Sequence, residues 1–139
     1  MTTADAGQAS FPVGFANYRS IREQDASAVA EWAAAGMTLA ASPEFGAQPE
    51  DTERMRAILD AAAAQGIRVI LCHCDACWSY LTTHGEGAYR NKFAALVGEW
   101  GAHPAVFGFN VGDEPCGDDF SIACQAIRIQ REIDRKSVV

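Results

Sequence analysis

Residues 105–115 read AVFGFNVGDEP, and this stretch decides the class of fold. Its first seven residues, Ala105 to Val111, are apolar except for Asn110 and predict a buried β-strand. The strand leads into two adjacent carboxylates, Asp113 and Glu114, and then into Pro115. In parallel α/β folds ligands bind where the carboxyl ends of the strands meet, because the loops converge there. The stretch therefore predicts a strand that delivers charged side chains to a functional edge of a sheet.

The same alternation of strand and helix extends over the rest of the chain. Earlier strands are predicted at 11–16, 37–42 and 67–73, and SVV at 137–139 reads as the opening of a fifth. Helices are predicted from Asp25 to Gly36, from about Glu50 to Gly66 and from about Phe120. A further helix carries its apolar stripe from Tyr89 to Trp100, behind a predicted loop rich in Gly, Thr and His. Apolar strands that alternate with amphipathic helices indicate the α/β class, with a parallel sheet covered by helices.

Two architectures share this pattern. A (β/α)8 barrel needs at least ~200 residues, whereas a small, open, doubly wound sheet fits the 139 residues of the chain. Neither G-x-G-x-x-G after the first strand nor G-x-x-x-x-G-K-[ST] occurs, so no nucleotide-binding version is supported. We expect residues 1–10 to be a disordered lead-in and residues 11–139 to form one domain.

Charge and composition exclude several classes of partner. The net charge of −7 disfavours binding to nucleic acid or to an anionic membrane, since both need a basic surface. No run of 18 apolar residues and no signal peptide is visible, so the localisation is undetermined, with the cytoplasm as the default expectation. The five cysteines are an odd number and imply no disulfide framework.

Polar and aromatic side chains follow the end of each predicted strand. Taken singly, each is best explained as a solvated loop residue or a helix cap. As a set on one rim with aromatic residues nearby, they have the composition of a sugar-binding site. The set consists of Asn17 and Arg19 after the first strand, Glu44 after the second, His73, Asp75 and Trp78 after the third, and Asp113 and Glu114 after the fourth.

The fourth strand and its surroundings carry a family resemblance. WGAHPAVFGFNVGDEP (100–115) resembles the fourth-strand signature of (β/α)8-barrel glycoside hydrolases of the cellulase and β-galactosidase-like superfamily. FPVGFANYRS (11–20), AEWAAAGMTLAASPE (30–44) and IRIQREIDRKSVV (127–139) fit the same N-terminal half less specifically. The resemblance implies that Glu114 is the general acid/base. It places Asp113 where many relatives have an Asn that contacts the sugar.

The resemblance also implies that a catalytic group is missing. A retaining mechanism needs a second carboxylate about 5–5.5 Å from the acid/base, and the family supplies it from the seventh strand. The chain ends at the start of a predicted fifth strand. We therefore expect a (β/α)4 half-barrel that binds carbohydrate, needs no cofactor or metal, and does not hydrolyse glycosides alone. Its partner could be the missing barrel half or a second copy.

Two alternatives remain open. One is a non-catalytic α/β binding or scaffold domain, in which the rim is an ordinary ligand site. The other is a metal-dependent barrel hydrolase using His73, Cys74 and Asp113. Of the cysteines in CHCDAC (72–77), only Cys74 and Cys77 have the spacing of a zinc knuckle. Buried cysteines beside a rim histidine explain the motif better than a metal does.

Overall fold

The computed structural model describes residues 11–134 and contains one four-stranded sheet. Its strands are β1 (Gly14–Phe15), β2 (Leu39–Ala41), β3 (Arg68–Leu71) and β4 (Val106–Phe109). They lie in the order β1-β2-β3-β4, and each neighbouring pair is parallel. The helices between and after them are α1 (Ala28–Ala34), α2 (Pro49–Ala64), α3 (Trp78–Trp100) and α4 (Asp119–Ile133). The predicted α/β class with a parallel sheet is confirmed. The predicted lead-in at 1–10 and the start of a fifth strand at 137–139 lie outside the described residues.

One face of the sheet packs against the helices. Side chains paired across parallel strands point to the same face, and one such row is Phe15, Ala40, Val69 and Val106. These residues belong to the main core or pack against it. The ring of Phe15 contacts the ring of Trp32 in α1 edge-on, with 5.5 Å between the ring centroids. Residues of the predicted helix stripes, such as Met55, Ile58 and Phe93, add to this core together with loop residues such as Ile21 and Phe45.

The opposite face has little cover. Leu39, Ala41 and Ile70 alternate with the buried row and are only partly buried. Phe107, at the register shift between β3 and β4, is 40% exposed. We call this surface, made by Leu39, Ala41, Ile70 and Phe107, the uncovered face. A doubly wound sheet would reverse its strand order and carry helices on both faces. The four described strands instead follow chain order, as in one half of a barrel.

The strands are shorter than predicted, and at two of their ends a side chain replaces a backbone hydrogen-bond partner. The Val13 N–H donates to Thr38 Oγ1 at 2.9 Å, before β1 begins. After β3, the Cys72 N–H donates to the buried Ser42 Oγ at 2.8 Å. An apolar pattern cannot reveal where such a substitution occurs.

The predicted loop after the third strand is wrong for most of its length. A short 3₁₀ turn, Cys74–Ala76, is followed directly by α3 from Trp78, and the helix is broken only at Gly85, with φ 79°. Thr83 Oγ1 donates to the Ser79 carbonyl at 2.9 Å, one helical turn earlier. A threonine in a helix commonly makes this bond to the carbonyl four residues earlier, so the residue type alone does not exclude a helix.

The other helix boundaries agree closely with the sequence. Proline begins α2 at Pro49, where its missing N–H costs nothing, and Gly66 with φ 69° follows its end. α1 begins at Ala28, because Asp25 forms a turn in which its carboxylate accepts from the Ser27 N–H. No helix among residues 11–134 is both long and apolar enough to cross a membrane.

Candidate functional site

The loops at the carboxyl end of the sheet are held side by side by backbone hydrogen bonds. Beyond the strands, Ser20 bridges to Glu44 and Phe45 bridges to His73, both in parallel. The Cys74 N–H donates to the Phe45 carbonyl at 3.1 Å. The segments after β1, β2 and β3 therefore continue the order of the sheet into the rim and fix the spacing of their side chains.

A cleft of about 400 Å³ opens between these segments. The structure brings four of the residues expected at the rim into it: Asn17, Glu44, His73 and Asp113. It adds residues that sequence reasoning did not select, namely Ala16, Tyr18, Ala41, Cys72, Cys77, Asn110 and Gly112, together with Cys74, which only the metal alternative had named. The cleft is thus lined by carboxylates, amides, thiols, one imidazole and one phenol ring.

Tyr18 and Asn110 are the most informative of the additional residues. Tyr18 is 83% exposed, so its ring presents a free apolar surface at the mouth of the cleft. The Asn110 side chain accepts from the Gly112 N–H at 3.0 Å and reaches Cys72 Sγ at 3.7 Å. The sequence signal for Tyr18 is its position directly after Asn17 at a strand end. For Asn110 it is the polar residue inside an otherwise apolar run.

Arg19, Asp75 and Trp78 do not line this cleft. Arg19 is exposed, and its N–H donates to Asn17 Oδ1 at 3.1 Å. Asp75 lies in a separate groove of about 500 Å³ on the outer side, together with residues of α2 and α3. The 3₁₀ turn directs its carboxylate to the Lys92 ammonium at 3.1 Å.

Trp78 forms the wall behind the cleft. Its backbone N–H donates to the Val111 carbonyl at 2.7 Å, which ties the start of α3 to the segment after β4. Its indole lies against Gly112, and the buried Nε1 has no hydrogen-bond partner among the described residues. Trp78 therefore shapes the cleft without lining it.

Asp113 and Glu114 separate at the end of the fourth strand segment. Gly112 adopts φ 119° and Glu114 adopts φ 43°, so the chain bends and the strict alternation of a strand no longer applies. Asp113 faces the cleft, and its Oδ1 accepts from the Glu114 N–H at 3.1 Å. Glu114 is exposed and does not line the cleft. A non-glycine residue at positive φ is uncommon and is often found at functional sites.

The electrostatics of the cleft keep its central groups neutral. His73 is 4% exposed, and burial lowers the pKa of its imidazole, although the nearby Asp75 carboxylate opposes the effect. Its Nδ1 accepts from the Asp75 N–H at 3.1 Å, so a neutral His73 carries its proton on Nε2. Burial, followed by the neighbouring Asp75, raises the pKa of the Cys74 thiol to about 11. Burial also raises the pKa of the Cys72 thiol.

The metal alternative finds a different set of residues from the one expected. His73, Cys74 and Asp75, rather than His73, Cys74 and Asp113, place ligand atoms within 4.8 Å of one another. Asp75 is already paired with the Lys92 ammonium at 3.1 Å, so a cation would have to compete for this carboxylate. A metal would also have to displace the proton of the Cys74 thiol, because a thiolate is the ligand that a metal requires. These three residues are poorly suited to hold an ion.

Comparison with known proteins gives likeness in structure alone. No sequence-family profile and no curated protein matches the chain. An endoglucanase from Pseudomonas stutzeri is similar over 86% of this chain and 42% of its own, with a TM-score of 0.57 and 22% identity. A second solved structure, a glycoside hydrolase, is similar over 92% of this chain and 51% of its own, with a TM-score of 0.50 and 12% identity. The chain spans about half the length of these structures. Its open α/β sheet therefore resembles the first half of a TIM-barrel glycoside hydrolase.

Proposed function

We propose that the cleft at the carboxyl end of the sheet binds carbohydrate, and that the chain is one half of a glycosidase-type barrel. The observation that carries this proposal is the composition of the cleft. An exposed aromatic ring, Tyr18, stands beside the hydrogen-bonding side chains of Asn17, Asn110 and Asp113. Sugars offer apolar ring faces and a fringe of hydroxyl groups, and this lining matches both.

Glu114 is the proposed general acid/base. It follows β4 at the rim with φ 43° and, unlike Asp113, does not line the cleft. A retaining reaction would also need an ionised carboxylate about 5–5.5 Å away as nucleophile. In this proposal that group comes from outside residues 11–134. Glucan is the proposed substrate class, since one structural neighbour is an endoglucanase.

A calorimetric titration with a glucan oligosaccharide tests the binding. We expect the chain to bind it, and Tyr18→Ala and Asp113→Ala each to weaken the affinity at least tenfold by removing a stacking surface or a hydrogen-bond acceptor. Asp118→Ala is the matched control, because Asp118 is exposed and lies outside the cleft. Absence of binding, or equal effects of all three substitutions, would contradict the proposal.

Azide rescue tests the role of Glu114 separately. We expect no hydrolysis of an aryl glucoside by the chain alone. Azide can replace the missing nucleophile: it forms a C–N bond to the anomeric carbon as the C–O bond breaks, and Glu114 protonates the departing phenolate. The glycosyl azide should form with the native chain, and Glu114→Gln should abolish it.

A non-catalytic carbohydrate-binding domain is the second candidate. The observation favouring it is that Glu114 is exposed and does not line the cleft. This candidate predicts the same oligosaccharide binding, but it predicts that neither the native chain nor Glu114→Gln forms the glycosyl azide. The two experiments together therefore separate the candidates.

A further inference from the structure

The uncovered face leaves apolar surface without a covering layer. Leu39, Ala41 and Ile70 are partly exposed, and Phe107 is 40% exposed. Parallel sheets occur almost only with both faces covered, because their strands are apolar on both sides. Arg68 shares the face, but it lies at the amino-terminal end of β3. It is exposed there, so its charge can stay in water above the Phe107 ring. The face therefore calls for an apolar cover.

Both edges of the sheet are open as well. Within residues 11–134, β1 pairs only with β2, and β4 pairs only with β3. Open edges present unpaired N–H and C=O groups that another strand can use. Val13, next to β1, is 46% exposed and adds an apolar side chain beside that edge.

The cover has to be about as large as the described structure. The similar solved structures are about twice as long as this chain, which covers 42% and 51% of them. A unit of similar size is therefore the expected occupant.

We propose that a second copy of this chain covers the face, with a two-fold axis running parallel to the strands. Such an axis keeps the strand direction, so β4 of one copy lies parallel to β1 of its partner at both joints. The two uncovered faces then meet across the axis, and the sheet closes without free edges. A two-fold interface of this kind is the commonest in soluble oligomers. The proposal rests on the open sheet and is independent of carbohydrate binding.

Sedimentation equilibrium over a range of concentrations tests the dimer. We expect a species of twice the 14.9 kDa chain mass. Phe107→Asp, beside β4, and Val13→Asp, beside β1, should each raise the dissociation constant at least tenfold, since each places a charge in an apolar joint. Phe120→Asp is the matched control, because Phe120 is 63% exposed but lies on α4. Far-UV circular dichroism identifies any variant that has lost its fold.

Amide hydrogen exchange gives a test that needs no substitution. Exchange in β1 and β4 of the native chain should slow as its concentration rises, because the edge N–H groups become hydrogen-bonded. A monomer at every concentration, or exchange in β1 and β4 that ignores concentration, would overturn the proposal. A dimer weakened equally by Phe120→Asp would overturn it too, because the interface would then involve another surface.

Discussion

Gly112 controls how closely the segment after β4 approaches the wall of the cleft. Its φ is 119°, a backbone conformation that residues other than glycine rarely adopt. A Cβ atom added there would lie 2.5 Å from Trp78 Cδ1 and 2.8 Å from Cys77 Sγ. The position therefore requires glycine for its backbone and also for its space.

Gly112→Ala should consequently destabilise the fold by on the order of 3 kcal/mol, combining backbone strain with overlap against a packed ring. Gly117→Ala separates the two contributions. Gly117 also has positive φ, 57°, but a Cβ there would meet nothing within 4 Å, so about 1–2 kcal/mol is expected. Urea unfolding of both variants measures the difference. Equal losses would mean that the close approach to Trp78 is unimportant.

His73 should make stability depend on pH. Burial lowers the pKa of its imidazole below the ordinary 6.5 in the folded chain. As the pH falls below about 6.5, the unfolded chain takes up this proton first, and folding stability is lost. Above that pH His73 is neutral in the folded and in the unfolded chain, so its protonation no longer lowers the free energy of unfolding.

His73→Asn removes this proton while keeping a side chain that can cap the 3₁₀ turn. The stability of the native chain relative to this variant should therefore be smaller at pH 5.5 than at pH 7.5. Urea unfolding of both proteins at the two values measures it. If the two proteins differ in free energy of unfolding by the same amount at pH 5.5 and at pH 7.5, the assignment of a neutral, buried His73 is contradicted.

The sequence located fewer than half of the residues that meet at the cleft. Asn17, His73 and Asp113 were predictable, because the polar residue at a parallel strand end tends to face the rim. Asp75 was not, since its direction depends on a 3₁₀ turn and on Lys92, 17 positions later in the chain. The exposure of Tyr18 could not be predicted from the sequence either, because it depends on the path of the loop after β1.

At the scale of elements, the apolar pattern identified every described strand and its direction. It failed where local side-chain bonding decides the backbone. The 3₁₀ turn and the first turns of α3 occupy residues expected to be loop, and Gly85 only interrupts the helix. The strand ends likewise depend on single acceptors such as Ser42 Oγ, which donates to the Pro43 carbonyl and accepts from Cys72.

A buried clamp joins three elements beneath the cleft. The Tyr89 hydroxyl of α3 donates to the Ala76 carbonyl in the 3₁₀ turn at 2.7 Å. Gln130 of α4 donates from Nε2 to the same carbonyl at 2.9 Å and to the Tyr89 hydroxyl at 2.8 Å. Burial raises the pKa of Tyr89 to about 12, so the hydroxyl remains a donor throughout the ordinary pH range. The clamp fixes the turn that carries Cys74 and Asp75.

Tyr89→Phe should cost about 1–2 kcal/mol, since it removes one buried hydrogen bond and leaves Gln130 with one acceptor instead of two. Tyr18→Phe is the control for stability, because Tyr18 is 83% exposed. Thermal or urea unfolding of the two variants measures the effect. No difference between them would show that the clamp contributes little to holding the turn.

For the whole molecule, a helix-covered outer face, an uncovered inner face and a polar rim together describe half of a closed barrel. The length of the similar solved structures agrees with that description. Closure by a second copy and carbohydrate binding at the rim are separate proposals. A dimer alone would place another copy of the same rim opposite Glu114. The nucleophile that the proposed retaining reaction needs would still come from elsewhere.

The most direct measurement is an amide NMR titration of the native chain with a glucan oligosaccharide. We predict saturable shifts at Tyr18, Asn110 and Gly112, which line the cleft, and none at Thr52 or Ala95 in the outer groove. Shifts confined to the outer groove, or no saturable shifts at all, would contradict the proposal that the carboxyl end of this sheet is a carbohydrate site.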